Sequence, residues 1–266
     1  MPYLENKFIL LQCPHCTMPL QTEGNSLVCQ NKHRFDIAKQ GYVNLAPQAK
    51  QSFYDKDNFA ARNHILEQGY YKHVLQAVQN VLTQHAVQSV VDVGCGEGYY
   101  CRNSGVNTRY ACDIAKPSIQ MAAKKDPYGN YLVADLAKLP FTDHSFDALL
   151  NIYSPANYKE FLRVLKKGGL LCKVVHGTSH IQELRALAAP FLQNKNAQEN
   201  SAEYFAKQFP AHKRFSVHKS FAITQEDLHL FCQMTPLFFH VPWQELPLEK
   251  VHTLTIAAEI LLAKIE

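Results

Sequence analysis

The stretch that decides the fold is SVVDVGCGEGYY, residues 89–100. Its first half is rich in valine and ends at an acidic residue, Asp92, which is typical of a buried strand near its carboxyl end. The turn that follows contains Gly94, Gly96 and Gly98. Glycines at this spacing predict a tight turn whose backbone amides a ligand can approach. A dinucleotide fingerprint requires glycine at position 99, where the chain has Tyr99, so a pyrophosphate cradle is disfavoured.

Segments that alternate between strand and helix patterns follow this turn. RYACDI predicts a second strand that ends in Asp113, 19 residues after Gly94, where a carboxylate can accept hydrogen bonds from both ribose hydroxyls of a nucleoside. A third strand ends at Asp135, a fourth lies in SFDALL, and a fifth covers residues 170–175 after a helix and a Gly-Gly turn. This alternation predicts a parallel, doubly wound α/β sheet, whose ligands bind at the carboxyl ends of the strands.

The segments on either side of this sheet are less regular. Residues 43–57 combine proline, glutamine and lysine without a period and predict a linker, after which two helices meet near Gly69. Residues 190–215 show no clear period, and we expect them to form a mobile segment over the ligand cleft. The remaining sequence predicts a strand, a helix that ends before Pro236, and a last strand or helix.

Near the N-terminus, four potential metal ligands follow the pattern C-x2-C-x12-C-x3-H, formed by Cys13, Cys16, Cys29 and His33. A structural Zn²⁺ ion takes four nitrogen or sulfur ligands in a closed tetrahedron, and a C-x2-C turn supplies two thiolates from one knuckle. A segment of about 45 residues with few large apolar side chains needs such a staple to fold. Free thiols or a redox pair are the alternative, but no strand and helix of a thioredoxin-like unit flank the two cysteines.

Length and composition bound the class of protein. The chain has 266 residues, 47% hydrophobic and 19% charged, as expected for one large globular domain with a small one. It has no run of 18 apolar residues and no recognisable signal peptide, so we expect a cytoplasmic protein with no membrane partner. A net charge of +4 permits a polyanionic partner. The predicted bounds are 1–48 for the zinc module, 49–60 for a linker and 61–266 for the sheet domain.

Three segments, in this order after the cysteine pattern, carry a family resemblance: FDIAKQGYVNLAP, DVGCGEGYY and SPANYKEFLRVLKKGG. Together they resemble the bacterial 23S rRNA (guanine-N1) methyltransferases, a family that includes tylosin-resistance enzymes. The resemblance implies a class I methyltransferase sheet, Rossmann-like and doubly wound, with a small N-terminal zinc-binding domain and an antiparallel closing strand. It also implies methyl transfer from S-adenosylmethionine to N1 of a guanine in a hairpin of domain II of 23S rRNA, a homodimer and, in the resistance-type branch, macrolide resistance.

The resemblance assigns roles to residues by their position in the family motifs. Zinc ligands fall on the four residues named above. Cofactor contacts fall on Tyr71, Tyr100, Cys101, Asp113 and His180. The motif positions around the strand ends add Asp92, Gly94, Gly96, Gly98, Ile114, Asp135 and Leu136. Tyr71 is expected to face the methionine moiety or the sulfonium of the cofactor, because a cation favours an aromatic face.

The sequence does not identify a general base. Guanine N1 carries a proton and is a poor nucleophile until that proton leaves, so we expect a base or a group that stabilises charge on O6. The candidates are His180, His176, Asn151 and Tyr153, of which the last two lie in NIYSPA, at the motif that holds the target base in amino-group methyltransferases. A target base must leave its stack to enter the site, and Tyr153 can stack on it.

Two other classes of function stay open on sequence grounds. A methyltransferase that acts on a small molecule or on another RNA would bind S-adenosylmethionine but would show no salt-dependent affinity for rRNA. A non-catalytic zinc-ribbon protein that binds RNA would need no cofactor site, and the intact glycine turn with Asp113 argues against it.

Overall fold

The buried run of valines lies at the centre of an eight-stranded sheet in the computed structural model, which describes residues 7–46, 56–191 and 199–266. The strands are β1 (Gln21–Glu23), β2 (Ser26–Val28), β3 (Arg34–Asp36), β4 (Tyr42–Asn44), β5 (Ser89–Val93), β6 (Thr108–Asp113), β7 (Asn130–Val133), β8 (Phe146–Ile152), β9 (Leu165–His176), β10 (Lys213–Ala222) and β11 (Thr253–Lys264). The helices are α1 (Lys56–Glu67), α2 (Lys72–Gln84), α3 (Tyr99–Arg102), α4 (Lys116–Lys125), α5 (Tyr158–Val164), α6 (Gln182–Ala188), α7 (Glu199–Gln208) and α8 (Gln225–Met234).

The large sheet has the strand order β10-β11-β9-β8-β5-β6-β7-β4. Strands β4 to β9 pair in parallel, whereas β11 runs antiparallel to β9 and β10 antiparallel to β11. The doubly wound α/β fold class and the antiparallel closing strand are therefore confirmed. Because the parallel strands share one direction, the turns after β5, β6 and β8 emerge at the same edge of the sheet.

Helices cover both faces of the sheet. Alternate strand residues point to opposite faces, so that Val90 packs with the residues of α1, α2 and α8, and Val91 packs with those of α5 and α7. The two helices predicted before β5 are α1 and α2, and they meet near Gly69 as expected. Among the described helices, none has the length and apolar character needed to cross a membrane.

The prediction of a mobile segment over the cleft is wrong for residues 199–208, which form helix α7. Ala202 and Phe205 on this helix are buried, and Phe209 follows one turn later on the same face. The ring of Phe205 lies 5.9 Å from the ring of Tyr158 on α5, so α7 packs against α5. The spacing of these three apolar residues is helical, but the polar residues around them mask the period. Residues 192–198 of the same prediction lie outside the described part of the chain.

The N-terminal segment forms a small three-stranded antiparallel sheet of β1, β2 and β3 and contacts the large domain directly. Leu11 forms a bridge with Phe141, and both side chains are fully buried. The amide of Phe8 donates to Oδ1 of Asn130 at 2.9 Å. The large domain therefore holds the small sheet through backbone bonds and a shared core.

The predicted domain bounds remain predictions, to which the structure adds two observations. Strand β4, which lies inside the predicted zinc module, is the outermost strand of the large sheet and pairs in parallel with β7. Helix α1 begins at Lys56, inside the predicted linker, and residues 47–55 lie outside the described part of the chain.

Candidate functional site

The glycine-rich turn after β5 is fastened to the neighbouring strand β6. The amide of Gly94 donates to the carbonyl oxygen of Cys112 at 2.8 Å, and the amide of Gly96 donates to Oδ2 of Asp113 at 2.9 Å. Oδ1 of Asp113 accepts from the amide of Ala115 at 2.8 Å. Asp113 is half-buried at the end of β6, and each carboxylate oxygen keeps further acceptor capacity for a ligand hydroxyl.

The turn needs glycine because other side chains approach its backbone closely. Gly94 and Gly96 have φ values of +77° and +55°. A Cβ atom at Gly94 would lie 1.9 Å from Oγ of Ser154, in the loop after β8. A Cβ atom at Gly96 would lie 3.1 Å from Nη1 of Arg62, on α1. The loop after β8 and helix α1 therefore form the two sides of the cleft above the turn.

Two carboxylates are buried beside this turn. Asp92 is 1% exposed and Glu97 is 0% exposed, and neither has a hydrogen-bond partner for its carboxylate oxygens among the described residues. Burial raises the pKa of Asp92 to about 7, and the guanidinium of Arg62 acts in the opposite direction. Arg62 places its Nε 3.6 Å from Oε2 of Glu97. Buried carboxylates without donors favour a ligand that brings a cationic donor, and the ammonium of S-adenosylmethionine fits that requirement.

Aromatic and imidazole rings line the cleft beyond the glycine turn. Tyr153 stacks on His176 with ring centroids 4.3 Å apart, and His176 stacks on His180 at 4.4 Å. The hydroxyl of Tyr71 lies 3.5 Å from Nε2 of His180. Burial lowers the pKa of His176 to about 4 and lowers the pKa of His180 well below its usual value, so both rings are neutral at pH 7. These neutral rings fit a sulfonium cation and leave it without a competing positive charge.

The loop after β8 is held by a buried lysine. Asn151 at the end of β8 lies opposite Lys173 on β9, whose Nζ donates to Oδ1 of Asn151 at 2.6 Å and to the carbonyl oxygen of Ser154 at 3.1 Å. Nδ2 of Asn151 donates to the carbonyl oxygens of Val93 and Pro155. The amide of Asn151 is therefore fully engaged in joining the loop to the glycine turn. Burial lowers the pKa of Lys173 to about 8.

Several residues predicted from the sequence lie together in this cleft. The charge of Arg62 acts on the titrating groups of Asp92, Asp113, Tyr71, Tyr100, Tyr153 and His176. The hydroxyl of Tyr100 is buried without a partner among the described residues. The sequence reasoning did not identify Arg62, Glu97 or Lys173. Only Glu97 carried a local signal, because it stands inside the glycine turn.

The remaining predicted cofactor residues have less direct positions. Cys101 is fully buried, and its Sγ lies 3.5 Å from the carbonyl oxygen of Tyr110, so its side chain points into the sheet core. Asp135 is exposed, and its Oδ1 accepts from the amide of Ala137 at 2.8 Å. Ile114 and Leu136 are half-buried after β6 and β7. Their roles toward the cofactor stay predictions.

The four predicted zinc ligands converge in the N-terminal module. The ligand atoms of Cys13, Cys16, Cys29 and His33 lie within 4.8 Å of one another. Nδ1 of His33 lies 3.4 Å from Sγ of Cys13 and of Cys29 and 3.5 Å from Sγ of Cys16. Bonds of about 2.3 Å to sulfur and 2.0 Å to nitrogen in a tetrahedron give separations of this size. The geometry therefore fits a structural zinc ion closed by four protein ligands.

Family models match both parts of the chain. The model described as the N-terminal region of RlmA, a zinc ribbon, matches residues 11–53, and a methyltransferase domain model matches residues 91–172. A S-adenosylmethionine-dependent methyltransferase from Thermotoga maritima has a similar fold, with a TM-score of 0.50 and 17% identity over 79% of this chain and 98% of its own.

Two relatives match over nearly the whole chain. A Bacillus subtilis (strain 168) protein, provisionally named a 23S rRNA (guanine-N(1)-)-methyltransferase, is 30% identical over 260 residues, which cover 91% of this chain and 92% of the relative. The 23S rRNA (guanine(748)-N(1))-methyltransferase of Streptomyces fradiae is 29% identical over 262 residues, 93% of this chain and 94% of the relative. With its zinc ribbon, methyltransferase domain and full-length similarity, the chain belongs to the family of 23S rRNA (guanine-N(1)-)-methyltransferases.

Proposed function

We propose that this protein transfers the methyl group of S-adenosylmethionine to N1 of a guanine in a hairpin of domain II of 23S rRNA. The observation that carries the proposal is the turn after β5, where Gly96 binds Asp113 and two buried carboxylates lack donors beside a stack of neutral rings. The closed Cys₃His cluster on the same chain supports an RNA substrate, because the matching ribbon model is that of RlmA and the full-length relatives are named 23S rRNA (guanine-N(1)-)-methyltransferases.

Binding and orientation are the main tasks of the chain. The cofactor supplies a methyl group that its sulfonium already activates for transfer. Asp113 offers carboxylate oxygens to the ribose hydroxyls, and Asp92 and Glu97 offer theirs to the ammonium group. The rings of Tyr71 and Tyr153 border the reacting centre, and holding both reactants there supplies several kcal/mol of the barrier reduction.

The proton on guanine N1 requires an acceptor near the ring stack. Nδ1 of His180 accepts the amide hydrogen of Ala257 at 3.3 Å, so the neutral ring carries its proton on Nε2, toward Tyr71. Neither nitrogen of His180 is then available as a base. The ring nitrogens of His176 have no hydrogen-bond partner among the described residues, and its ring is half-buried in the stack. We therefore assign the N1 proton to His176 in this proposal and assign the buried hydroxyl of Tyr153 as the donor to O6.

The zinc module supplies basic groups for the phosphate backbone of the RNA. Lys32 and Lys39 are exposed on this module, and Arg34 pairs with Glu23 at 2.6 Å on its surface. Contacts to phosphates give affinity and position without reading sequence, so the neighbouring pocket must select the base. The homodimer, the cytoplasmic location and the macrolide resistance that the family resemblance implies belong to the same proposal, and light scattering of the purified protein tests the dimer.

Mass spectrometry of rRNA from a strain that lacks the gene tests the function. Nuclease digestion of its 23S rRNA should show the loss of one N1-methylguanosine, which returns when the wild-type gene is restored and stays absent with an Asp113→Ala variant. An unchanged N1-methylguanosine content in the deletion strain would defeat the rRNA substrate. Calorimetry separates the alternatives: a small-molecule methyltransferase takes up S-adenosylmethionine without salt-dependent rRNA affinity, and a non-catalytic RNA-binding protein takes up no cofactor.

A further inference from the structure

We propose that Arg62 binds the carboxylate of the methionine moiety of the cofactor. This inference deepens the cofactor site and rests on the proposed function. Arg62 lies on α1, more than a turn before the two tyrosines that follow the helix, and outside the motifs around the strand ends. Its guanidinium reaches the cleft from the side that faces the glycine turn.

The position of the guanidinium is the first argument. Nη1 of Arg62 lies 3.1 Å from the place a Cβ atom would take on Gly96, so the guanidinium rests on the turn itself. Nε lies 3.6 Å from Oε2 of Glu97, and the Arg62 side chain is 22% exposed. Helix α1 is anchored by Phe59 and Ile65, which are buried on either side of Arg62 in sequence. The guanidinium is therefore held at the turn by packing and by an ion pair.

The balance of charge is the second argument. Asp92, Glu97 and Asp113 place three carboxylates around the turn. Burial raises the pKa of Asp92 and of Asp113, and at Asp92 the two neighbouring carboxylates act in the same direction. Such a cluster attracts the ammonium of a zwitterionic amino-acid moiety and repels its carboxylate. A guanidinium among these groups attracts the carboxylate of the amino-acid moiety, which the three protein carboxylates would otherwise repel. It also presents two parallel N–H groups to that carboxylate.

The other basic side chains near the cleft contact groups away from Gly96. Nζ of Lys173 donates to Asn151 and to the backbone of Ser154. Nη1 of Arg185 donates to the carbonyl oxygen of Thr178 at 3.3 Å. The two histidines of the ring stack are neutral because burial lowers their pKa values. Arg102 also reaches the turn, but its Nη1 donates to the carbonyl oxygen of Glu97 at 3.0 Å and its Nη2 pairs with Glu67. The guanidinium of Arg62 lies against Gly96, and this position supports the assignment.

The test compares two ligands that differ only in the amino-acid moiety. S-adenosylhomocysteine carries the ammonium and carboxylate, whereas 5′-methylthioadenosine keeps the adenosine and the thioether sulfur and lacks both. Calorimetry with Arg62→Ala should show an affinity for S-adenosylhomocysteine that is about tenfold to a hundredfold lower than in the wild type. Its affinity for 5′-methylthioadenosine should change by less than about twofold, which also proves that the variant is folded. Arg62→Lys should show an intermediate loss, because an ammonium keeps the charge and lacks the planar fork.

Arg214→Ala is the matched control, since it removes an exposed arginine on β10 that pairs with Glu259, far from the turn. It should bind both ligands as the wild type does. Equal losses for the two ligands in Arg62→Ala, or no loss for either, would overturn the assignment while leaving the proposed function intact. Wild-type protein that binds neither ligand would instead defeat the proposed function, and the assignment with it.

Discussion

Asp92 is a buried carboxylate whose position lowers the stability of the free protein. A carboxylate that is 1% exposed and has no donor among the described residues destabilises the free protein unless it takes up a proton. Burial accordingly raises its pKa from 3.8 to about 7, and Arg62 offsets only part of this effect. Under the proposed function, Asp92 would contribute to cofactor binding at the expense of the stability of the free protein.

Replacement of Asp92 by Asn should therefore have a pH-dependent effect on stability. Between pH 4 and about pH 7 the folded wild-type protein holds a proton at Asp92 that the unfolded chain has released, so its free energy of unfolding falls as pH rises. The Asn variant lacks this titration. Urea denaturation without cofactor should show that the variant gains stability relative to the wild type across this range and that the difference levels off above about pH 7. A difference that shrinks as pH rises would contradict the raised pKa.

His176 gives a second prediction, about rate. Burial lowers its pKa to about 4, so the ring stays unprotonated where an ordinary histidine, with a pKa near 6.5, would already be half charged. The rate of single-turnover methyl transfer should be measured at saturating cofactor and rRNA from pH 8 down to about pH 5.5. It should not fall over this range with an apparent pKa near 6.5. His176→Ala should lower this rate at every pH in the range. A wild-type profile that falls with a midpoint near 6.5 would exclude a buried, neutral His176 as the proton acceptor.

The glycine turn and Asp113 could be predicted from the sequence because their functions depend on neighbours within one strand–turn–helix unit. Arg62 could not, because it comes from a helix before the first parallel strand, and only the packing of α1 brings it to Gly96. The engagement of Asn151 was equally invisible, because its partner Lys173 lies on the next strand of the sheet. Interactions between separate elements require the fold before they can be recognised.

At the scale of elements, β8 and β9 support the loop after β8. Asn151 and Lys173 are register partners in these strands, and the Nζ of Lys173 also binds the backbone of Ser154. Tyr153 lies between these two anchors with φ of +52°, an unfavourable value for a bulky residue that the surrounding bonds maintain. The lysine therefore fixes the direction in which the tyrosine ring points.

Replacement of Lys173 by Met should lower kcat about tenfold or more and leave the Kd of S-adenosylmethionine nearly unchanged, because each tenfold loss corresponds to about 1.4 kcal/mol of lost positioning. The reason is that Asn151 and Ser154 lose a common donor, so the loop and Tyr153 are no longer held. Lys166→Met is the control, since this exposed lysine on the same strand pairs with Asp147 at the surface. A loss of cofactor affinity equal to the loss in kcat would show that the lysine acts on the cofactor site instead.

The zinc module is the other element whose stability can be tested separately. Its three strands have three residues each and few bonds of their own, so the ligand cluster must hold them. Removal of zinc by a chelator should increase hydrogen exchange of the knuckle amides, such as those of Cys13, Thr17 and Lys32, while β5 amides stay protected. Knuckle amides that remain protected after the metal is gone, with zinc content confirmed by elemental analysis, would contradict a structural role.

The alternation of strands and helices predicted the parallel core of the sheet, since each of those strands contains its own run of apolar residues. It missed β4, whose three residues become a strand only through pairing with β7. It also missed α7, whose helical spacing of Ala202, Phe205 and Phe209 is diluted by polar residues. Short elements that depend on a partner carry too little local signal to be recognised.

In the whole molecule, the zinc module and the methyltransferase domain share one core and meet through backbone bonds. The bridge of Leu11 to Phe141 and the bond from Phe8 to Asn130 fix their relative position. Basic residues on the module therefore stand at a set distance from the cleft, and under the proposed function we expect an RNA hairpin bound to them to present its loop to the ring stack. A fixed geometry of this kind favours one guanine among several by position.

The double variant Lys32→Ala with Lys39→Ala should weaken rRNA hairpin binding and reduce the slope of log K against log salt by about two, one for each phosphate that a lysine no longer neutralises. Its affinity for S-adenosylmethionine should stay unchanged, since both lysines are exposed on the module. Lys250→Ala removes an exposed lysine far along the chain and should leave the salt slope as it is. A wild-type slope retained in the double variant would place the RNA elsewhere.

Strand β4 determines where two enzymes of this family can be joined into a chimera. Its residues, Tyr42–Asn44, stand directly after the ribbon in the chain but complete the border of the catalytic sheet. A chimera that exchanges the N-terminal modules of two relatives at a junction near residue 48 would bring in the β4 strand of the other parent. That strand would then have to pair with a β7 strand to which its sequence is not matched. Chimeras joined before residue 42 should be better tolerated, because they keep β4 with the sheet to which it belongs. The part of the chain that can be exchanged between relatives therefore ends before β4.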